Sequence, residues 1–234
     1  LGAYNGQGAN QREINDNYHV VARASYPWKT ESGQIYEVGI QGYTGKYMPS
    51  AASSYRKLPG DTTLTAVPTT GINKGSFIDG FTTFNQNGIK DERAAISFMM
   101  YPMPFGLQGE WNWGTTPGLD ASTALVKERK MNGGYIQAMY KIDHVKVADT
   151  DGTLIPFVRW QYFDGFQKAE TNAPQNKVND WEAGAEWQIA PEVELVAYLH
   201  HMNRTNVVTG APSGVADYAK FKADALRVQL QYNF

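Results

Sequence analysis

The chain has 234 residues, a formal net charge of −2 and no cysteine. It carries no disulfide, thiolate metal site or cysteine nucleophile, and no strong electrostatic bias toward nucleic acid. Aromatic residues are plentiful (14 Tyr, 10 Phe, 6 Trp), yet mean hydropathy is −0.46, and no segment offers the ~20 apolar residues that a helical membrane span needs.

In chain order, Leu1 to Tyr4 reads as the end of a strand, so Leu1 is not expected to be the biological N-terminus. A polar Gly- and Asn-rich loop follows over residues 5–17. Tyr18, Val20, Ala22, Ala24 and Tyr26 then alternate with His19, Val21, Arg23 and Ser25, and a short turn near Trp28 leads to Tyr36, Val38 and Ile40 alternating with Glu37, Gly39 and Gln41. A period of two is the signature of a strand with unlike faces. Residues 48–88 keep no period. Strands resume around Ala94–Met100, turn at Pro102–Pro104, and return through Phe105–Trp113; residues 115–127 read as a loop. Further alternating runs cover Gly134–Tyr140, with Lys141 continuing the polar parity, then Leu154–Tyr162, Trp181–Ile189 and Val193–Leu199. Residues 149–152 make a medium turn, 190–192 a tight one, and 164–177 and 206–217 longer loops.

The last stretch is the clearest. Leu226, Val228, Leu230, Tyr232 and Phe234 sit on one parity against Arg227, Gln229, Gln231 and Asn233. This gives nine full strands and one partial strand, with no helix and with connections alternating long and short. Short turns on one side and long loops on the other, with a terminal aromatic, describe an antiparallel up-and-down transmembrane β-barrel. Trp111, Trp113, Trp160, Trp181, Trp187, Leu195, Val228 and Leu230 are expected to face outward. Arg23, Arg93, Lys141, Arg159 and Arg227, with Glu37, Glu110, Glu182 and Glu186, are expected to line the pore. The partial first strand is not expected to pair with the last, leaving the sheet open.

The alternatives carry less. Glu182 and Glu186 share a face but stand about 13 Å apart at about 3.3 Å per residue, too far for paired-carboxylate catalysis. His200 and His201 point to opposite faces of a strand, which argues against a metal site. Asp149-Thr-Asp-Gly152 lacks the closing glutamate of a calcium loop and reads as a hairpin turn. Residues 71–76 are not a phosphate-binding P-loop, and no Gly-x-Ser-x-Gly elbow is present. No enzyme activity, metal or cofactor is expected.

Four segments resemble, in order, the phosphate-selective porin O and P family: Leu1-Gly-Ala-Tyr-Asn-Gly-Gln-Gly-Ala-Asn10, Val20-Val-Ala-Arg23 with Tyr26-Pro27, Tyr43-Thr-Gly-Lys-Tyr47, and Pro156-Phe-Val-Arg-Trp-Gln-Tyr-Phe-Asp-Gly165. The resemblance implies a homotrimeric porin of the Gram-negative outer membrane, each barrel of about 16 strands around an aqueous channel. Residues 1–234 are then a single barrel domain, the C-terminal portion of such a chain, its N-terminal strands missing. The resemblance further implies passive diffusion of small anions such as phosphate, contact with lipid and lipopolysaccharide, and no nucleic acid partner. The family's constriction loop and central basic residues have no counterpart here. A structural barrel scaffolding a partner complex and a non-selective porin stay open. So does the charge question: the arginines form a basic track, or pair with the glutamates of the same face and brace the wall.

Overall fold

The computed structural model describes residues 1–6, 17–49, 54–66, 88–147, 150–207 and 215–232. Every regular element among them is a strand: β1 (Gly2–Asn5), β2 (Tyr18–Lys29), β3 (Ile35–Tyr47), β4 (Ser54–Arg56), β5 (Leu64–Ala66), β6 (Ile89–Met100), β7 (Phe105–Asp120), β8 (Leu125–Tyr140), β9 (Ile142–Val147), β10 (Thr150–Phe166), β11 (Gln175–Ala190), β12 (Val193–Val207), β13 (Val215–Ala216) and β14 (Tyr218–Tyr232). Ten run antiparallel in the order β1-β2-β3-β6-β7-β8-β10-β11-β12-β14, and β9 pairs with β10 beside that path. These ten are the nine full strands and one partial strand expected. The sheet is open: β1 is laddered only to β2 and β14 only to β12 among the described residues.

Because the ladder is continuous, parity in the sequence becomes a face of the whole sheet. Register carries one row from Val38 through Phe98, Gly109 and Ile136 to Trp160 and Trp181. Another carries Trp187 through Leu195 to Leu230. All eight residues expected to face outward lie on this face, and Trp113, Trp181, Val228 and Leu230 are exposed. The aliphatic middle of the face (Ile40, Ile96, Val158, Leu199) is bounded by aromatics on both sides. Toward the short turns stand Tyr26, Trp28, Tyr36 and Phe98, their rings stacked or tilted in series. Toward the long connections stand Trp111, Tyr162, Trp160 and Trp181, with ring centroids 5.9–6.3 Å apart along the series. Gly134 makes room for this second band, since a Cβ there would meet the Trp111 ring at 2.9 Å and the Glu110 carbonyl oxygen at 2.0 Å. Two aromatic girdles around an aliphatic belt are what a barrel wall presents to lipid.

The opposite face is concave. Gln41 on β3 reaches over β6 to donate to Glu110 on β7 at 3.0 Å, and side chains two strands apart converge only inside a curve.

The long connections are shorter, and more structured, than the sequence pattern suggests. The loop expected over 115–127 reduces to residues 121–124, because β7 and β8 continue as a ladder to Asp120↔Leu125. The loop expected over 164–177 reduces to 167–174. Within 48–88 and 206–217, β4, β5 and β13 make a second small sheet. The medium turn is the hairpin β9–β10, whose tip at 148–149 lies outside the described residues, as do residues 7–16, 71–76 and the terminal Asn233 and Phe234.

Four of these connections knit into a cap. Tyr55 of β4 is fully buried with Ile89, Leu119, Val126 and Ala173, and its hydroxyl donates to the Ala121 carbonyl at 3.0 Å. Asn172 Nδ2 donates to the Ser54 carbonyl at 3.0 Å, the Leu119 amide donates to the Ala173 carbonyl at 2.9 Å, and Arg56 pairs with Asp217 at 2.6 Å.

The two faces differ in what they tolerate. Val158, exposed at mid-strand on the aliphatic belt, should lose about 2–4 kcal/mol on Val158→Arg in a lipid bilayer. Ser97→Arg, on the concave face, should cost under about 1 kcal/mol. Urea unfolding of the full-length protein in lipid vesicles separates the two, and equal losses would contradict the assignment of faces.

Candidate functional site: the concave polar wall

The concave face is polar because the strand parity that feeds the belt leaves the intervening positions to Arg, Glu, Gln, Asn and Tyr. All nine residues expected to line a pore share its parity, but they fall into different electrostatic situations.

Arg159 on β10 is a braced cation. Its Nη1 donates to Glu182 Oε2 at 3.2 Å, its Nε donates to Gln137 Oε1 at 2.7 Å, and its guanidinium lies 5.6 Å from the Tyr135 ring centroid. Glu182, only 4% exposed, needs that partner. Arg23 is looser: it donates to Gln41 Oε1 at 3.2 Å and stands 3.9 Å from Glu37. Glu110 accepts from Gln41 and from Asn112 (2.8 Å), and Glu186 accepts from Gln188 at 2.6 Å. Arg227 is exposed on the edge strand β14, opposite Tyr198. Lys141 lies past the end of β8, paired with Asp143 at 3.0 Å at the root of the β9–β10 hairpin. It stands at the short-turn rim of the wall.

Arg93 differs from all of these. It makes no ion pair with a carboxylate among the described residues, its buried Nε lacks a hydrogen-bond partner there, and its guanidinium lies 5.7 Å from the Tyr43 ring centroid. Two hollows meet at it. One, of about 290 Å³, is lined by Arg23, Gln41, Tyr43, Arg93 and Asn112. The other, of about 350 Å³, is lined by Arg93, Asn112, Tyr135, Gln161, Phe163 and Arg204. Together they form one trough carrying three guanidinium groups and three side-chain amides.

Several members of this wall escape sequence reasoning. Asp180, fully buried, accepts from Arg204 Nε at 2.7 Å and from the Asn203 amide at 2.9 Å, and meets His200 Nε2 at 3.0 Å. His200 and His201 do point to opposite faces, the second pairing with Asp224 at 2.6 Å on the convex side. Lys168, in the 167–174 connection, turns inward: its ammonium pairs with the fully buried Asp91 of β6. It lies 4.8 Å from the Tyr47 ring centroid and 5.4 Å from that of Tyr43. Burial holds its pKa below the ordinary lysine value, against the opposing pull of Asp91. The available signal was parity alone: Asp91, Asp180 and Arg204 all fall on the polar parity of their strands once the strands are extended to full length.

A girdled up-and-down antiparallel wall with a polar trough on its concave face is the architecture of a membrane β-barrel wall. The family model for phosphate-selective porin O and P matches residues 1–234, the whole chain. The chain belongs to that family, which consists of channels rather than enzymes. No curated protein and no solved structure matches it.

Removing Arg159 leaves the nearly buried Glu182 facing only His200 Nδ1, 3.6 Å from its Oε1, among the described ion-pair partners. Arg159→Ala should destabilise the folded wall by about 2–3 kcal/mol, less than a fully buried pair because the arginine is one-third exposed. Adding Glu182→Gln should restore most of it, as read by urea unfolding in lipid vesicles.

Proposed function

We propose that this wall conducts small anions passively across the Gram-negative outer membrane, with the trough around Arg93 as its selective element. The observation that carries the reading is the asymmetry of partners: Arg159 and Arg204 are matched by Glu182 and Asp180, whereas Arg93 faces two hollows with no carboxylate paired to it among the described residues. A cation on a low-dielectric wall, left uncompensated, raises the local anion concentration. Arg23 and Arg227 join it as weakly paired or exposed charges. Lys141, Glu37, Glu110 and Glu186 line the same face as framework and rim, and Arg159 with Glu182 braces it. No chemistry or cofactor is involved, and small anions including phosphate are the solutes.

Conduction needs a closed wall. The outer edges of β1 and β14, each laddered on one side only among the described residues, are the places where further strands complete a barrel of about 16. Residues 1–234 are then one barrel domain's C-terminal portion. The aliphatic belt and girdles set the depth in the bilayer, with lipopolysaccharide around the long-connection end and two further copies completing a homotrimer.

Planar-bilayer recording of the full-length protein tests this. Arg93→Ala should lower the anion-to-cation permeability ratio by at least about twofold, with the larger effect at low salt, where the Debye length is longer. Arg159→Ala should change it far less. Equal effects would return the trough to the bracing role, and an absence of conductance would favour a structural scaffold.

A further inference from the structure

On the convex face, over β6, β7 and β8, the aliphatic belt is broken by a hollow of about 290 Å³ lined by Ile96, Phe98, Leu107, Gly109, Trp111 and Ile136. The row Phe98–Gly109–Ile136 has no side chain at its centre. A Cβ at Gly109 would meet the Tyr135 carbonyl oxygen at 2.9 Å, so the ladder itself keeps the notch open. Six to eight residues further along β6 and β7, past Trp113, the same face turns basic. Lys90 and Lys130 are exposed there, and Lys46 lies directly opposite Lys90 across the β3–β6 ladder. Like charges opposite each other on one face are destabilising on their own. Glu92 pairs with Lys90 at 2.6 Å and shares a row with Thr115 and Lys130. Glu128, on the same face, is exposed two residues from Lys130. Lys46 and Lys130 have no ion pair among the described residues, which leaves three lysines against two glutamates.

The spacing between hollow and lysines is that of a lipid. Six residues at about 3.3 Å each make about 20 Å along a strand, or about 15 Å along the membrane normal at a tilt of about 40°. That is the depth of one leaflet's hydrocarbon, half of about 30 Å. We infer that β3, β6, β7 and β8 form a docking face for a phosphorylated lipid of the outer leaflet. Lys46, Lys90 and Lys130 take its headgroup phosphates, Trp113 stands at the interface, and one acyl chain lies along the wall into the Gly109 hollow. The inference rests on the outer-membrane reading above, since the long connections must face the outer leaflet. A second copy of this chain fits the face poorly: the cores of protein interfaces are depleted in lysine, and three ammonium groups would be desolvated there against two carboxylates. Lysine suits a lipid, because its stem runs along apolar surface while its ammonium reaches phosphate.

The test measures binding of lipid A to the full-length porin in mild detergent, read by native mass spectrometry. Lys46→Gln, Lys90→Gln and Lys130→Gln together should weaken binding at least about fivefold. Ile96→Trp fills the hollow and should weaken it at least about threefold, with single-channel conductance unchanged in both variants. Lys177, Lys220 and Lys222 stand on the convex face of β11 and β14, and their joint replacement by Gln should change binding less than about twofold. Equal losses from the two lysine sets would reduce the effect to general charge and overturn the docking face. Undiminished binding of dephosphorylated lipid A would overturn it as well. Efficient disulfide cross-linking of two copies through Ile96→Cys would assign the face to a neighbouring subunit instead. A wild type that forms no channel in planar bilayers would sink the porin reading itself, whereas a conducting wild type whose variants bind lipid A unchanged sinks only the docking face.

Discussion

The structure depends on the antiparallel ladder that joins ten strands in sequence order. In a bilayer each backbone N–H and C=O must be satisfied within the protein, because no water is present to accept the remainder. Among the described residues, ten strands laddered in sequence order meet most of that demand, and where the β11–β12 ladder is interrupted the Asn203 amide donates to Asp180 Oδ1 instead. The same ladder fixes the chemistry. A slip of one residue between any two strands would turn the concave arginines toward lipid and the tryptophans toward the trough. Alternation in the sequence and pairing in the sheet are therefore one constraint, and the positions of Arg93, Arg159 and Glu182 inherit from it.

This explains why the faces were legible from sequence and the ends of the strands were not. Between the girdles one face meets lipid, so apolar and polar residues must alternate, as in Trp181–Ile189 and Leu226–Tyr232. Past the Trp111–Trp160–Trp181 band neither face meets lipid, residues 116–120 being buried beneath the cap, and the pressure to alternate disappears. Residues 115–120 and 125–130 contain Thr, Pro, Gly, Lys, Glu and Arg in no hydrophobic order, yet they form a regular hairpin because the ladder simply continues. A period-two pattern measures the lipid-facing height of a wall, not the length of its strands. The cap is hidden for a related reason. Tyr55, the Leu119–Val126 ladder pair and Ala173 come from three segments far apart in sequence, and no local pattern announces that they meet.

The candidate site shows the same division. Parity puts Arg23, Arg93, Arg159 and Arg227 on the polar side of their strands, and the register sets those sides on one face of the sheet. It gave no information on partners. Partners depend on which rows fall opposite one another: Arg159 meets Glu182 because the β10–β11 register brings them level, while Arg93 meets Gly114 and Tyr43. Four arginines alike in sequence context become a brace, a loosely held charge, an exposed edge charge and an uncompensated one.

That difference bears on how such a wall balances stability against conduction. A charge fully matched by a neighbour stiffens the sheet and contributes little field, and a charge left unmatched supplies field at a cost in self-energy that solvent in the lumen must offset. Arg159, held by Glu182 and Gln137 and set against the Tyr135 ring, belongs to the first kind. Arg93 belongs to the second, and its surroundings moderate the cost: an aromatic face on one side and open polar hollows on the other. Glycines at 114 and 133 keep neighbouring positions on the concave face free of side chains, since a Cβ at either would strike backbone at 2.1–2.5 Å. The trough is therefore open at Arg93 because the close-packed ladder admits only glycine beside it, so the packing that secures the sheet also leaves the cation accessible.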